Sequence, residues 1–90
     1  MSDLLSAQHI LVGHEYEAKD ILRKIQQGEP FEKIAQDFSL CPSSKQGGNL
    51  GQFPKGAMVS AFEKALLTLK PGEVSGIVRT QFGYHIIKRL

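Results

Sequence analysis

Ninety residues make one domain's worth of chain with room for a single core, and residues 1–90 read as one unit. With 41% hydrophobic and 22% charged residues the composition is that of an ordinary globular protein, which argues against intrinsic disorder. A net charge of only +2 from scattered lysines argues against a nucleic-acid partner, no apolar run approaches a membrane span, and the one cysteine leaves no internal disulfide.

In chain order, Met1 to Ser6 lacks the basic region and long apolar stretch of a signal peptide, so the expected setting is a soluble cytoplasmic monomer. Ser6 to Val12 reads as the first strand, with Ala7, His9 and Leu11 on one face and Gln8, Ile10 and Val12 on the other. Both faces are largely apolar, which predicts a strand inside a sheet covered on each side. Gly13 ends it. Ala18, Ile21, Leu22 and Ile25 then fall at helical spacing, with Glu15 and Glu17 at the positive end and Gly28 as the stop. Pro30 opens a second helix whose buried face is Phe31, Ile34, Ala35 and Phe38.

Cys41 to Lys45 leaves the helix and leads into a loop with four glycines and a proline between Gly47 and Gly56, a composition unfit for helix or central strand. Leu50, Phe53, Met58 and Phe62 punctuate it, so it reads either as the lining of a cleft or as a connection that plugs the core. No Gly-Lys-Ser/Thr end follows and no dinucleotide unit surrounds it, which argues against nucleotide binding. Gly51 to Phe53 reads as a short strand that Pro54 confines to an edge. Ser60 and Glu63 form a capping box for a third helix burying Ala61, Phe62, Ala65, Leu66 and Leu69. Lys70-Pro71-Gly72-Glu73 has the residues of a type II turn. Ile77 to Thr80 and Tyr84 to Lys88 are two strands joined through Gln81-Phe82-Gly83 as a hairpin. The element order predicts an α+β fold with a largely antiparallel sheet.

His9 and His85 lie inside strands among apolar neighbours, as hydrogen-bonded core residues do, and two of them suggest a pair across the sheet. His14, beside Gly13, reads as a solvated turn residue. A metal site from His9, His85 and Cys41 has suitable ligand types but no familiar spacing. A Cys–His nucleophile pair would lack any marked oxyanion hole or orienting acid. Phe82 at a hairpin tip makes sense if its ring is tucked onto something. With Met58 and Phe62 it would wall a small apolar pocket, unless all three are routine core.

The segments His9-Ile10-Leu11-Val12, Phe31-Glu32-Lys33-Ile34-Ala35, Ser39-Leu40-Cys41-Pro42-Ser43, Gly47-Gly48-Asn49-Leu50-Gly51, the stretch from Met58 to Glu63 and the closing Gln81 to Lys88 together resemble the parvulin family of peptidyl-prolyl cis/trans isomerases. The resemblance covers nearly the whole chain and implies a four-stranded antiparallel sheet surrounded by helices, with a groove on the sheet as the active site. By the same resemblance Met58, Phe62 and Phe82, with Leu50 nearby and Gln81 adjoining, would hold the substrate's proline. Cys41, His9, His85 and Thr80 would be the catalytic set. No metal or other cofactor is implied, and the partners would be proline-containing peptides and unfolded or partly folded proteins.

Two departures stand out: Asn49 replaces a usual aspartate, and the basic loop of phosphorylation-directed members is here only Gly13-His14-Glu15. The expected preference is therefore an apolar residue before proline rather than a phosphorylated one. Amide rotation needs no nucleophile, and the negative end of the second helix would disfavour a thiolate at Cys41, so a non-covalent reaction is expected. The alternatives are a proline-segment-binding chaperone module with incidental isomerase activity and a cysteine-dependent enzyme.

Overall fold

The computed structural model describes residues 4–90; Met1 to Asp3, where the segment read against a signal peptide begins, lie outside the described residues. Strand β1 (Leu4–Val12) starts earlier than expected because Leu4 and Leu5 pair with Pro54 and Phe53 of β2 (Asn49–Pro54). On its other side β1 pairs with β4 (Gly83–Arg89), and β3 (Val78–Thr80) lies beyond, giving the order β2-β1-β4-β3 with every pair antiparallel. The α+β class and the four-stranded antiparallel sheet are thus as expected.

The alternation along β1 sorts its side chains into two cores. Ile10 and Val12 join Ile86 under helices α1 (Glu15–Gln26) and α2 (Phe31–Phe38), which contribute Ala18, Ile21, Phe31, Ile34 and Ala35. Leu5 and Ala7 join Phe53 and Ile87 on the opposite face, beneath Phe62 and Leu66 of helix α3 (Ser60–Leu67). Fully burying a large aliphatic or aromatic side chain contributes about 1.5–3 kcal/mol, so both faces are anchored. No helix among the described residues is long and apolar enough to cross a membrane.

Several local expectations are corrected. Pro30 is the N-cap rather than the first helical residue of α2, its carbonyl accepting the Ile34 N–H. Phe38, read as core, is 47% exposed at the last position of α2, with the Lys24 ammonium 5.4 Å above its ring. The Ser60/Glu63 capping box does not form: Val59 is the N-cap, and the Glu63 carboxylate instead accepts the Gly56 N–H. That contact ties the glycine loop to the helix. Ala61 is exposed on the outer side of the first turn, and α3 ends before Leu69.

Between α2 and β2 the chain runs as a strap, Ser39 to Gly48, containing a 3-10 helix at Pro42–Gln46. The register of β2 on β1 shifts between Ser6 and Gln8, and beyond it the strap takes over the edge of β1. The His9 N–H donates to the Gly48 carbonyl at 3.0 Å, and the Leu40 N–H donates to the Leu11 carbonyl at 2.8 Å. The Leu11 N–H donates to Ser39 Oγ at 3.1 Å, a side chain standing in for a strand partner.

Gly48 permits this approach. A Cβ there would lie 2.4 Å from the His9 carbonyl oxygen and 3.2 Å from the Ala35 methyl, and its φ of +83° suits glycine. Gly56, at φ +89°, has nothing within 4 Å. Gly56→Ala should cost only the positive-φ strain of about 1–2 kcal/mol. Gly48→Ala should exceed it by ~2 kcal/mol or more in urea unfolding, because backbone as well as side chain must shift.

Candidate active site

The register explains how three polar side chains meet. His9 lies opposite Ile87, and Leu11 lies opposite His85, so the two histidines are diagonal neighbours on one face of β1 and β4. Thr80 pairs with Gly83 and is likewise diagonal to His85 on that face. The result is a hydrogen-bonded row across three strands. His9 Nδ1 and His85 Nδ1 are 3.0 Å apart, and His85 Nε2 lies 2.7 Å from Thr80 Oγ1, which also accepts the Phe82 N–H at 3.2 Å. The pair suggested by the two strand histidines is present, with rings stacked at 5.2 Å between centroids.

Phe62 of α3 sets its ring edge-on to both histidines, 5.5 Å from each centroid, and is itself 2% exposed. Burial under this apolar cover, with His85 alongside, pushes the His9 pKa down to about 4. Burial also lowers that of His85. Both rings are therefore neutral at pH 7, and one Nδ1–H donates to the other ring. His9 Nε2 is buried with no hydrogen-bond partner among the described residues. Since a buried bare acceptor is less costly than an orphaned N–H, we assign the proton to His9 Nδ1, with His85 Nε2–H donating to Thr80.

Above the pair lies an open groove of about 470 Å³. It is lined by Met58, Val59 and Phe62 toward α3, by Leu50 of β2, by Leu40, Cys41 and Pro42 of the strap, and by Leu11 and Phe82 at the far end. Of the expected residues, His9, Cys41, Leu50, Met58, Phe62, Phe82 and His85 all border it, while Thr80 acts on His85 from behind. Gln81 does not border it; its side chain is exposed at the tip of the β3–β4 hairpin. Phe82, though 60% exposed, does lean over the groove. Leu11, Leu40, Pro42, Ala57 and Val59 also border it, although the sequence assigns them no role at a site, since an isolated apolar residue carries no signal of one.

Cys41 is partly exposed and stands at the start of the 3-10 helix, its carbonyl accepting the Ser44 N–H at 2.9 Å. This corrects the expected setting: α2 stops at Phe38 and is capped by an extended Ser39, so its dipole no longer acts at Cys41. Asn49 keeps the turn-forming function of an acid, its side-chain oxygen accepting the Gly51 N–H at 2.7 Å. His14 is exposed and stacks on Tyr16 at 5.2 Å. Among the described residues, no three His, Cys, Asp or Glu side chains gather as a metal site would require.

The histidine pair makes stability depend on pH in one direction. An unfolded His9 takes up a proton near 6.5, but the folded one resists until about 4. Between those values the unfolded chain binds more protons, so stability falls as pH falls. The gap corresponds to ~3 kcal/mol for His9. Urea midpoints should be insensitive to this pair above pH 6.5 and drop steadily toward pH 4, and His9→Phe should flatten that slope.

A family model described as a rotamase, the PPIC-type PPIase domain, matches residues 9–90. The foldase protein PrsA of Caldanaerobacter subterraneus is 47% identical over 87 residues, which is 96% of this chain but 28% of that protein. Peptidylprolyl isomerase PrsA of Bacillus anthracis superposes with a TM-score of 0.94 at 45% identity, covering 96% of this chain and 40% of that structure. The parvulin NmPin of Nitrosopumilus maritimus superposes with a TM-score of 0.87 at 46% identity, covering 100% of this chain and 98% of NmPin. The chain thus spans less than a third of the length of the curated PrsA relatives it matches, yet nearly all of the single-domain NmPin. With its own sheet, histidine pair and apolar groove on that frame, the chain belongs to the PPIC-type peptidyl-prolyl cis/trans isomerase family, the parvulins.

Proposed function

We propose that the groove accelerates cis/trans exchange of Xaa-Pro bonds in peptides and in unfolded or partly folded proteins, without a covalent step, and that it favours an apolar residue before the proline. The observation that carries this reading is the groove itself: an apolar wall of Met58, Val59 and Phe62 beside a neutral histidine pair, with no charged side chain in its lining. Residues with the family's spacing support the roles, and the name foldase borne by the PrsA relatives supports folding proteins as substrates.

The physics asks little. Rotation about an Xaa-Pro bond has a barrier close to the ~18–20 kcal/mol of other peptides and breaks no bond. A thousandfold acceleration needs only about 4 kcal/mol in favour of the twisted amide. Met58 and Phe62 clamp the proline ring and fix one side of the bond, while Phe82, which the family resemblance groups with them, is assigned to the other end of the groove. The carbonyl on the other side turns over Cys41 and the histidines. The planar amide has the larger dipole and loses more from dehydration, so a groove that excludes water favours the twisted form. Cys41 and the imidazoles supply a fixed polar field near the carbonyl oxygen.

Line-shape or exchange NMR on a Leu-Pro peptide tests the reading. Catalytic amounts of protein should accelerate exchange, and more for Leu-Pro than for phosphoserine-Pro, whose doubly charged phosphate finds no arginine or lysine in the lining. Peptide binding without faster exchange would instead make the domain a proline-segment-binding module. Because no step uses the sulfur as a nucleophile, Cys41→Ser should keep a substantial fraction of kcat/KM with the fold intact. A fall to the uncatalysed rate would return the cysteine-dependent mechanism to first place.

A further inference from the structure

Leu40 combines two properties that rarely go together: its side chain is 69% exposed, yet its backbone is fastened on both sides. The Leu40 N–H donates to the Leu11 carbonyl at 2.8 Å. One residue before it, Ser39 Oγ accepts the Leu11 N–H at 3.1 Å, and one residue after it the Cys41 N–H points at the same oxygen at 3.4 Å. Solitary exposed leucines need no explanation, but this one is continuous with the groove.

The groove has two ends along the face of β1. Met58 and Val59 pack on the core of Ala7 and Ile87, whereas Leu11 and Phe82 close the opposite end, beyond the histidines. Leu40 belongs to that far end, where its Cδ1 would sit 4.0 Å from a Cβ on Gly13. A volume of about 470 Å³ takes more than a proline ring. The reacting carbonyl belongs to the residue before proline, and consecutive Cα atoms are 3.8 Å apart across a trans bond. With the ring between Met58 and Phe62 and the carbonyl over Cys41 and the histidines, the side chain of the preceding residue falls on Leu11, Leu40 and Phe82.

We propose that Leu40 is a specificity-determining residue, forming with Leu11 and Phe82 an apolar subsite for the side chain that precedes proline. This rests on the isomerase reading above and adds the residue that sets its selectivity. An aliphatic or aromatic side chain loses water against three apolar neighbours. A carboxylate or phosphate there loses water without gaining a partner.

The test compares kcat/KM for Leu-Pro and Glu-Pro peptides by exchange NMR in the wild type, Leu40→Arg, Leu40→Ala and Leu67→Arg. Leu67 is an exposed leucine of α3 outside the groove lining and controls for added charge. The Leu-Pro to Glu-Pro ratio should fall about tenfold or more in Leu40→Arg, from one new charge pair and one lost apolar contact. It should fall severalfold in Leu40→Ala and stay at the wild-type value in Leu67→Arg. Because Leu40 is exposed, its variants should fold, which circular dichroism checks. A wild-type ratio retained in both Leu40 variants, or an equal shift in Leu67→Arg, would overturn the assignment while leaving the isomerase reading in place. A wild type that accelerates neither peptide would overturn the isomerase reading and this subsite together.

Discussion

The site depends on how strand β1 spends the backbone groups of its second edge. As far as Gln8 they pair with β2; from His9 onward they bind the strap from Ser39 to Gly48. Without that handover β2 would run on along β1 and leave the strap no edge to hold. Instead, the strap is fastened at both ends to the strand that carries His9, so Cys41 and Leu40 are placed relative to the histidine by the sheet itself. The buried Gln8 side chain reinforces this arrangement by donating to the Gly47 carbonyl at 3.2 Å.

The second constraint is electrical. Two imidazoles in hydrogen-bond contact beneath an aromatic ring cannot both carry charge, and burial keeps both neutral at pH 7. The arrangement carries a cost, since His9 Nε2 has no partner among the described residues and His9 opposes folding in acid. Local rules are broken in this way mostly at functional or strained sites. Thr80 ends the row at His85 and Phe62 covers both rings edge-on, so the groove floor offers a fixed dipole rather than a mobile proton donor.

A reaction that only turns a bond suits this construction. Holding a proline ring against apolar side chains and excluding water from one amide are tasks for shape, and shape here comes from two cores on either side of one sheet. The relatives of greater length use the same frame as part of a larger chain, while NmPin consists of little else.

Much of this was already written in the order of residues. The two apolar faces of β1, the helical spacing of Ala18, Ile21, Leu22 and Ile25, and the hairpin after Thr80 are short-range patterns that propensity and periodicity determine. The family's segments then placed His9, His85, Cys41, Met58 and Phe62 around one groove. What the chain alone left undecided lies where partners distant in sequence compete for one group. Glu63 matched a capping box, yet a loop N–H at Gly56 claimed its carboxylate. Phe38 matched a buried stripe, yet at the last position of α2 it is left half exposed under the Lys24 ammonium. Cys41 followed a helix in sequence but opens another turn in space, and Gln81 adjoined Phe82 in sequence while its side chain stays outside the groove. Leu40 stood in a family segment beside Cys41 without a role of its own, because what holds it at the groove is a strand β1 carbonyl and a serine hydroxyl bound to β1, a strand distant in sequence. Periodicity reads faces within one element; which group wins a shared hydrogen bond is decided only once the elements are packed together.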